Sequence, residues 1–199
     1  MAIKVGTSGW SYPSWRPGFY PADAQPADFL SYYASRFDTV ELNSTGYRLP
    51  SADQFRRWAE AVPDEFEFSV KFGLTRLDRV TTFLERVLAL GDRLGPVRIV
   101  YEGPFDGGTL SFVQGSTPDE VKLAWDFRHE SWGDVDGIVR VNDPNAEPFR
   151  YLRLREPPYS DDELREVAAS LRDPAYVFVR HEDEPTAPPV AARLRELLG

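Results

Sequence analysis

Cysteine is absent from the 199-residue chain, which removes disulfides and thiolate metal sites from consideration. Histidine is nearly absent: His129 and His181 are the only two, few nitrogen ligands for a transition metal. No apolar run approaches the roughly 20 residues of a membrane-spanning helix. With the first strand pattern opening directly after Met1, the expectation is a soluble, cytoplasmic protein without a targeting segment. Lysine is scarce as well, three residues against twenty arginines, which reads as compositional bias. Positive charge of the molecule as a whole is also missing. A net charge of −9 disfavours broad binding to nucleic acid or to an anionic membrane, where a cationic face is needed, but leaves room for a small basic pocket.

What is present is an ordinary globular composition, 42% hydrophobic and 28% charged, of a length that suits one domain spanning residues 1–199. Strand and helix patterns alternate along it. Strands are predicted at Ile3–Gly9, Thr39–Asn43, Phe66–Phe72, Val97–Glu102, from Leu123, at Gly137–Asp143, Arg150–Arg155 and Ala175–His181. Helices are predicted at Ala27–Phe37, from Ser51, at about Arg79–Leu94, from Ser160 and at Val190–Leu198. Ser51 with Gln54, and Ser160 with Glu163, have the spacing of capping boxes. After the fourth strand a Gly-rich loop is expected. Alternation of this kind means a parallel α/β architecture, a barrel or a doubly wound sheet, and eight strands favour the barrel.

The connections around strand six are too short for crossover helices, which take at least 10–12 residues. The expected fold is therefore a compact TIM-type (β/α)8 barrel whose outer helices are missing around strands five to seven. Trp125, Phe127, Val139, Val141, Leu152 and Leu154 are then expected to face outward without cover. A flank so bare predicts a homodimer formed through it.

The stretch LAWDFRHESW (123–132) shows how a site enters this plan. Leu123, Trp125 and Phe127 occupy one face of a strand, Asp126 and Arg128 the other, with His129 and Trp132 just beyond. Val40 and Leu42 likewise oppose Glu41 and Asn43, Phe68 and Val70 oppose Ser69 and Lys71, and Leu152 and Leu154 oppose Arg153 and Arg155. Apolar faces meet helices, so the charged faces point into the barrel. Glu41, Asn43, Lys71, Asp126, Arg128 and His129 fall at the C-terminal strand ends, where barrel active sites lie. Lys122 and Glu67 belong to the opposite, stabilising end. The aromatic loop with Trp10, Tyr12, Trp15, Phe19 and Tyr20 is placed to form one wall. A self-satisfied salt-bridge network closing the mouth, with the aromatics as core, is the competing account.

Several motifs together identify the chain as a member of the YecE-like family, domain of unknown function 72. GTSGWSYPSWRPGFYP (6–21) and YYASRFDTVELNSTGYRLP (32–50) resemble its first two signatures. FEFSVKF, LGDRLGP and DFRHESW fit later blocks, with Asp126 where the family usually has Glu. The resemblance implies a TIM-type barrel with no established activity and a pocket of Ser8, Trp10, Tyr12, Glu41, Asn43, Tyr47, Lys71, Arg128, His129 and Trp132. The chain departs from the family in YEGPFD after strand four, Arg155-Glu156 after strand seven and Arg180-His181 after strand eight.

Three functions follow as expectations. The first is an enzyme acting on a small anionic or polyol-like substrate by general acid–base chemistry, as a hydrolase, lyase or isomerase. Glu41, Lys71, Asp126 and His129 carry the chemistry, while Lys71 also joins Arg128 and Arg153 in holding the anion. The second is a protein that binds or processes nucleic acid at its phosphodiesters, which the overall acidity opposes. The third is a non-catalytic binding protein with a relic pocket. No cofactor is expected, although a divalent cation at the carboxylates stays open. Phosphate is a doubtful ligand because the last helix opens near Pro188-Pro189, which lack the N–H donors that grip it.

Overall fold

A computed structural model describes residues 3–43, 49–133, 135–156, 158–180 and 184–199. Eight strands follow one another: β1 (Ile3–Thr7), β2 (Thr39–Leu42), β3 (Glu67–Gly73), β4 (Leu94–Tyr101), β5 (Leu123–Phe127), β6 (Val139–Arg140), β7 (Arg150–Leu154) and β8 (Ala175–Val179). Every ladder is parallel, in the orders β2-β3-β4-β5-β6 and β7-β8-β1. Single parallel bridges, Ser8 to Glu41 and Val141 to Tyr151, join the two sheets at both seams and complete the circuit. Around it lie α1 (Phe29–Ala34), α2 (Ala52–Glu60), α3 (Val80–Val87), α4 (Gly107–Ser116), α5 (Asp161–Ser170) and α6 (Ala187–Leu198).

Side-chain groups stand in for the missing ladder bonds at each seam. Between β1 and β2 the Tyr33 hydroxyl accepts from the Thr7 amide at 2.8 Å and donates to the Thr39 carbonyl at 3.2 Å. The strands approach so closely here that a Cβ on Gly6 would meet the Thr39 carbonyl oxygen at 2.1 Å, so only glycine fits. Between β6 and β7 the Asn142 side chain imitates a strand residue. It accepts from the Arg153 amide at 2.7 Å and donates to the Arg153 carbonyl at 3.2 Å, while its own amide reaches the Tyr151 carbonyl at 2.8 Å. Asn142 adopts φ 66°, a left-handed conformation that asparagine tolerates better than most residues.

Three expectations need correction. The Gly-rich loop after β4 is the helix α4, started by Asp106, whose carboxylate accepts from the Gly108 and Thr109 amides at 2.9 and 3.2 Å. Glycines at three of its ten positions disguise it in the sequence. Val139 and Val141 do not face outward. Val139 is in register with inward-facing Ala124, and Val141 bridges to Tyr151. Finally, although the described residues between β5 and β7 form no α-helix, the flank is not bare. Trp125 and Leu154 are buried, and Phe127 and Leu152 are half-buried. Trp132 returns on a 3-10 turn (Glu130–Trp132) to stack on Phe127 at 3.8 Å, and the Arg140 guanidinium lies over the same ring. A dimer on this flank loses the exposed apolar area that argued for it.

Candidate functional site

Register fixes which residues fill the barrel. Glu41 lies beside Ser69, Lys71 beside Arg98, Val100 beside Asp126, and Arg153 beside Phe178. Residues in register in a parallel ladder point the same way, so one inward face carries most of the polar strand residues. Toward the C-terminal ends these form a continuous ionic network. Arg98 grips Glu41 with Nε at 2.7 Å and Nη2 at 3.3 Å, and reaches Asp126 Oδ2 with Nη1 at 2.5 Å. Arg153 Nη2 lies 3.2 Å from Glu41 Oε1 and 2.7 Å from Ser8 Oγ. Tyr151, from across the barrel, donates to Glu41 Oε2 at 2.6 Å. Ser8 Oγ donates to Oε1 at 3.1 Å. Asp126 Oδ2 also receives Arg155 at 2.8 Å and Arg128 at 3.0 Å.

Electrostatics separates the roles of these groups. Burial alone would raise the Glu41 pKa, but Arg98, Arg153 and the Tyr151 hydroxyl outweigh it and hold the carboxyl down at about 2. Glu41 is inaccessible to solvent and remains an anion at any working pH. Lys71, half-buried, moves the other way: burial, then the adjacent Arg98 and the more distant Arg153 and Arg128, lower its pKa against the pull of Glu41. Burial lowers the pKa of Arg153 too, partly offset by Glu41. The outer layer of the network is accessible, with the side chains of Arg155 29% and Arg128 40% exposed. Two donors are left over: the Nε groups of Arg153 and Arg155 are buried without a hydrogen-bond partner. Among the described residues no three His, Asp or Glu side chains gather as a metal site.

The expected site residues fall into three groups. Ser8, Glu41, Asp126, Arg128 and Arg153 meet in the network, and Lys71 feels its charges. Trp10, Tyr12 and Asn43 line a separate cavity beside β1 and β2. Gly9, at φ 85°, lets the chain turn there, since a Cβ would meet the Tyr12 hydroxyl at 2.4 Å. His129 and Trp132 join neither. His129 is exposed and caps the 3-10 turn, accepting from the Ser131 amide at 3.2 Å. Trp132 is buried, its Nε1 donating to the Gly103 carbonyl at 2.9 Å. Tyr47 lies outside the described residues. Sequence reasoning missed Arg98, the central cation, and Tyr151. Both sit on the inward beat of their strands, Arg98 between Val97 and Ile99, and Tyr151 two residues before Arg153.

The opposite end has its own, smaller network. Lys4 pairs with Glu67 at 2.9 Å, and Tyr176 donates to Glu67 at 2.6 Å while accepting from Lys122 at 3.1 Å. A parallel strand circuit closed this way at its N-terminal end, and charged at its C-terminal end, defines an α/β barrel protein with a candidate ligand site at the mouth. The particular family follows from comparison: the chain belongs to DUF72, described as a protein of unknown function, whose family model matches residues 4–141. The UPF0759 protein YecE of Escherichia coli K12 is 30% identical over 152 residues, covering 71% of this chain and 49% of YecE. The chain thus spans about half the length of that relative. Two solved structures of DUF72 proteins share the fold. One from Enterococcus faecalis V583 has a TM-score of 0.77 at 14% identity, covering 99% of this chain and 95% of that one. One from Thermotoga maritima MSB8 has a TM-score of 0.75 at 24% identity, covering 100% and 99%.

Proposed function

We propose that the barrel mouth binds a small anionic molecule and catalyses proton transfer on it. One observation carries this reading: among the described residues four guanidinia, Arg98, Arg128, Arg153 and Arg155, converge on two carboxylates, Glu41 and Asp126, with Lys71 beside them. The buried carboxylates Glu41 and Asp126 are already balanced by the buried Arg98 and Arg153. The accessible Arg128 and Arg155, with half-buried Lys71, therefore give the mouth a surplus of positive charge that closing the barrel does not require. An anion at the mouth supplies the balancing charge. Arg153, Arg155 and Arg128 hold it, with geometry suited to a carboxylate or an oxyanion of similar shape. Glu41 and Asp126 position the guanidinia. Lys71, its pKa depressed, is the group that exchanges a proton, as the base in an isomerisation or elimination next to the anionic group. The grip does not come from α6, whose first turn contains Pro188 and Pro189.

The test is calorimetric titration of the full chain with sulfate, phosphate and a panel of small carboxylates and sugar acids. At least one binds saturably to the wild type and roughly tenfold more weakly to Arg128→Ala, the loss expected from one charge-assisted hydrogen bond. Proton chemistry is read as deuterium entering the bound anion from heavy water, lost in Lys71→Met. Failure of every anion to bind, or equal binding to Arg128→Ala, overturns the anion site. Undiminished exchange in Lys71→Met overturns the role of Lys71.

A further inference from the structure

The network at the barrel mouth takes its positive charge from four arginines, Arg98, Arg128, Arg153 and Arg155, and from one lysine, Lys71. That exception carries information, because the chain has only three lysines against twenty arginines. Lys4 and Lys122 belong to the opposite end, the first paired with Glu67 and the second donating to the Tyr176 hydroxyl. A guanidinium holds an anion at least as well as an ammonium does, but it never gives up its proton. Lysine does what arginine cannot: as a neutral amine it attacks an electrophilic carbon. The surroundings of Lys71 favour that form. It lies in register with Arg98 on the neighbouring strand, so the two side chains project from the same face of the sheet. It is half-buried, and burial first, then the charge of Arg98, lowers its pKa. The charge of Arg128 acts on it as well, so the amine and the more accessible of the two outer guanidinia lie within electrostatic reach of each other.

We propose that Lys71 is a nucleophile and that the mouth takes a 2-oxo acid, its carboxylate held by Arg128 and its carbonyl carbon joined to Lys71 Nζ as an imine. The inference rests on the anion-binding reading and deepens it by naming the substrate class. An amine and a guanidinium this near each other match an electrophilic carbonyl and an anion close together, and a 2-oxo acid carries the two on adjacent carbons. In the covalent step the nitrogen lone pair forms the bond to carbon and the carbonyl π pair moves to oxygen. Two protons pass from nitrogen to that oxygen, the C–O bond breaks and one water leaves. The lysine ammonium and the ketone thus become an iminium ion and water, with no oxidant or reductant needed. The positive nitrogen then draws electrons from the neighbouring C–H bond, whose proton passes to solvent. With this substrate the lone pair assigned above to proton transfer bonds to carbon instead, and exchange with heavy water runs through the imine.

Pyruvate is the probe and acetone its control, a methyl group standing where pyruvate has its carboxylate. The full chain is incubated with each in the presence of cyanoborohydride, which reduces an imine to a stable amine, and the labelled position is found by peptide mass mapping. Pyruvate adds one carboxyethyl group, at Lys71, while Lys4 and Lys122 stay unmodified. Below saturation, acetone labels Lys71 roughly tenfold more slowly than pyruvate does, and pyruvate labels Arg128→Ala more slowly than the wild type by a similar factor. Mapping and the comparison with acetone need no variant. Calorimetric titration without the reductant separates this inference from the reading it rests on. Saturable pyruvate binding with no adduct overturns the imine and leaves the anion site standing. Binding of sulfate or phosphate but not of pyruvate overturns the 2-oxo acid as the substrate class. Binding of no anion at all removes the site and the imine together. Labelling spread evenly over the three lysines, or equal rates for pyruvate and acetone, likewise overturns the proposal.

Discussion

Glu41 has no exposed surface and five hydrogen-bonding or ionic contacts, from Arg98 twice, Arg153, Tyr151 and Ser8. Its carboxyl titrates in the folded chain at about 2, below its ordinary 4.5. A depressed carboxylate contributes stability that is fully present above the unfolded value and erodes as pH falls toward the folded one. The shift corresponds to roughly 3 kcal/mol at neutral pH. Glu41→Gln keeps the shape but strands Arg98 and Arg153, and costs about 3–5 kcal/mol, the penalty for breaking a buried pair. Denaturant midpoints between pH 7 and pH 2.5 check both parts: the variant starts lower and declines less steeply below about pH 4.5. An acid limb as steep as the wild type's assigns the titration elsewhere. Glu41 was legible because an acid alternating with Val40 and Leu42 has only the barrel interior to face. Arg98 follows the same rule but hides as one charge in an apolar run, and Tyr151 hides because an inward tyrosine reads as core until its hydroxyl has a named partner.

At the scale of elements, the seams decide whether eight strands make a ring. Tyr33→Phe leaves the Thr7 amide without its acceptor and costs about 1–3 kcal/mol, with faster hydrogen exchange at Thr7. Asn142→Ala loses both bonds to Arg153 and also forces alanine into φ 66°. Asn142→Gly loses the same bonds without that strain, and is expected to be about 1 kcal/mol more stable than the alanine variant. Urea denaturation orders the three proteins, and an alanine variant as stable as the glycine one contradicts the account. These fastenings were invisible in sequence because they join residues far apart in the chain through side chains posing as backbone. The order of strands was readable because alternation survives in five-residue segments. It failed at β6, only two residues long, where Ile138, Val139 and Val141 place apolar side chains on both faces and the register cannot be assigned from pattern alone.

Across the whole molecule the two ends of the barrel do different work. At the N-terminal end, Lys4, Glu67, Tyr176 and Lys122 form a network whose charged groups all have partners. In the network at the C-terminal end, the described cations outnumber the described carboxylates, an imbalance an anionic ligand would correct. Stability and binding should therefore separate by end. Glu67→Gln weakens the pairing of Lys4 and the acceptor for Tyr176, lowering stability by about 1–2 kcal/mol without moving anion affinity. Arg128→Ala leaves Asp126 still paired with Arg98 and Arg155, so its cost stays within about 1 kcal/mol, while anion affinity falls roughly tenfold. Chemical denaturation and calorimetric titration of the same two variants measure both quantities. If Glu67→Gln weakened anion binding as much as Arg128→Ala does, the ends would be energetically one unit. The charge surplus at the mouth would then be a feature of the fold rather than of a site.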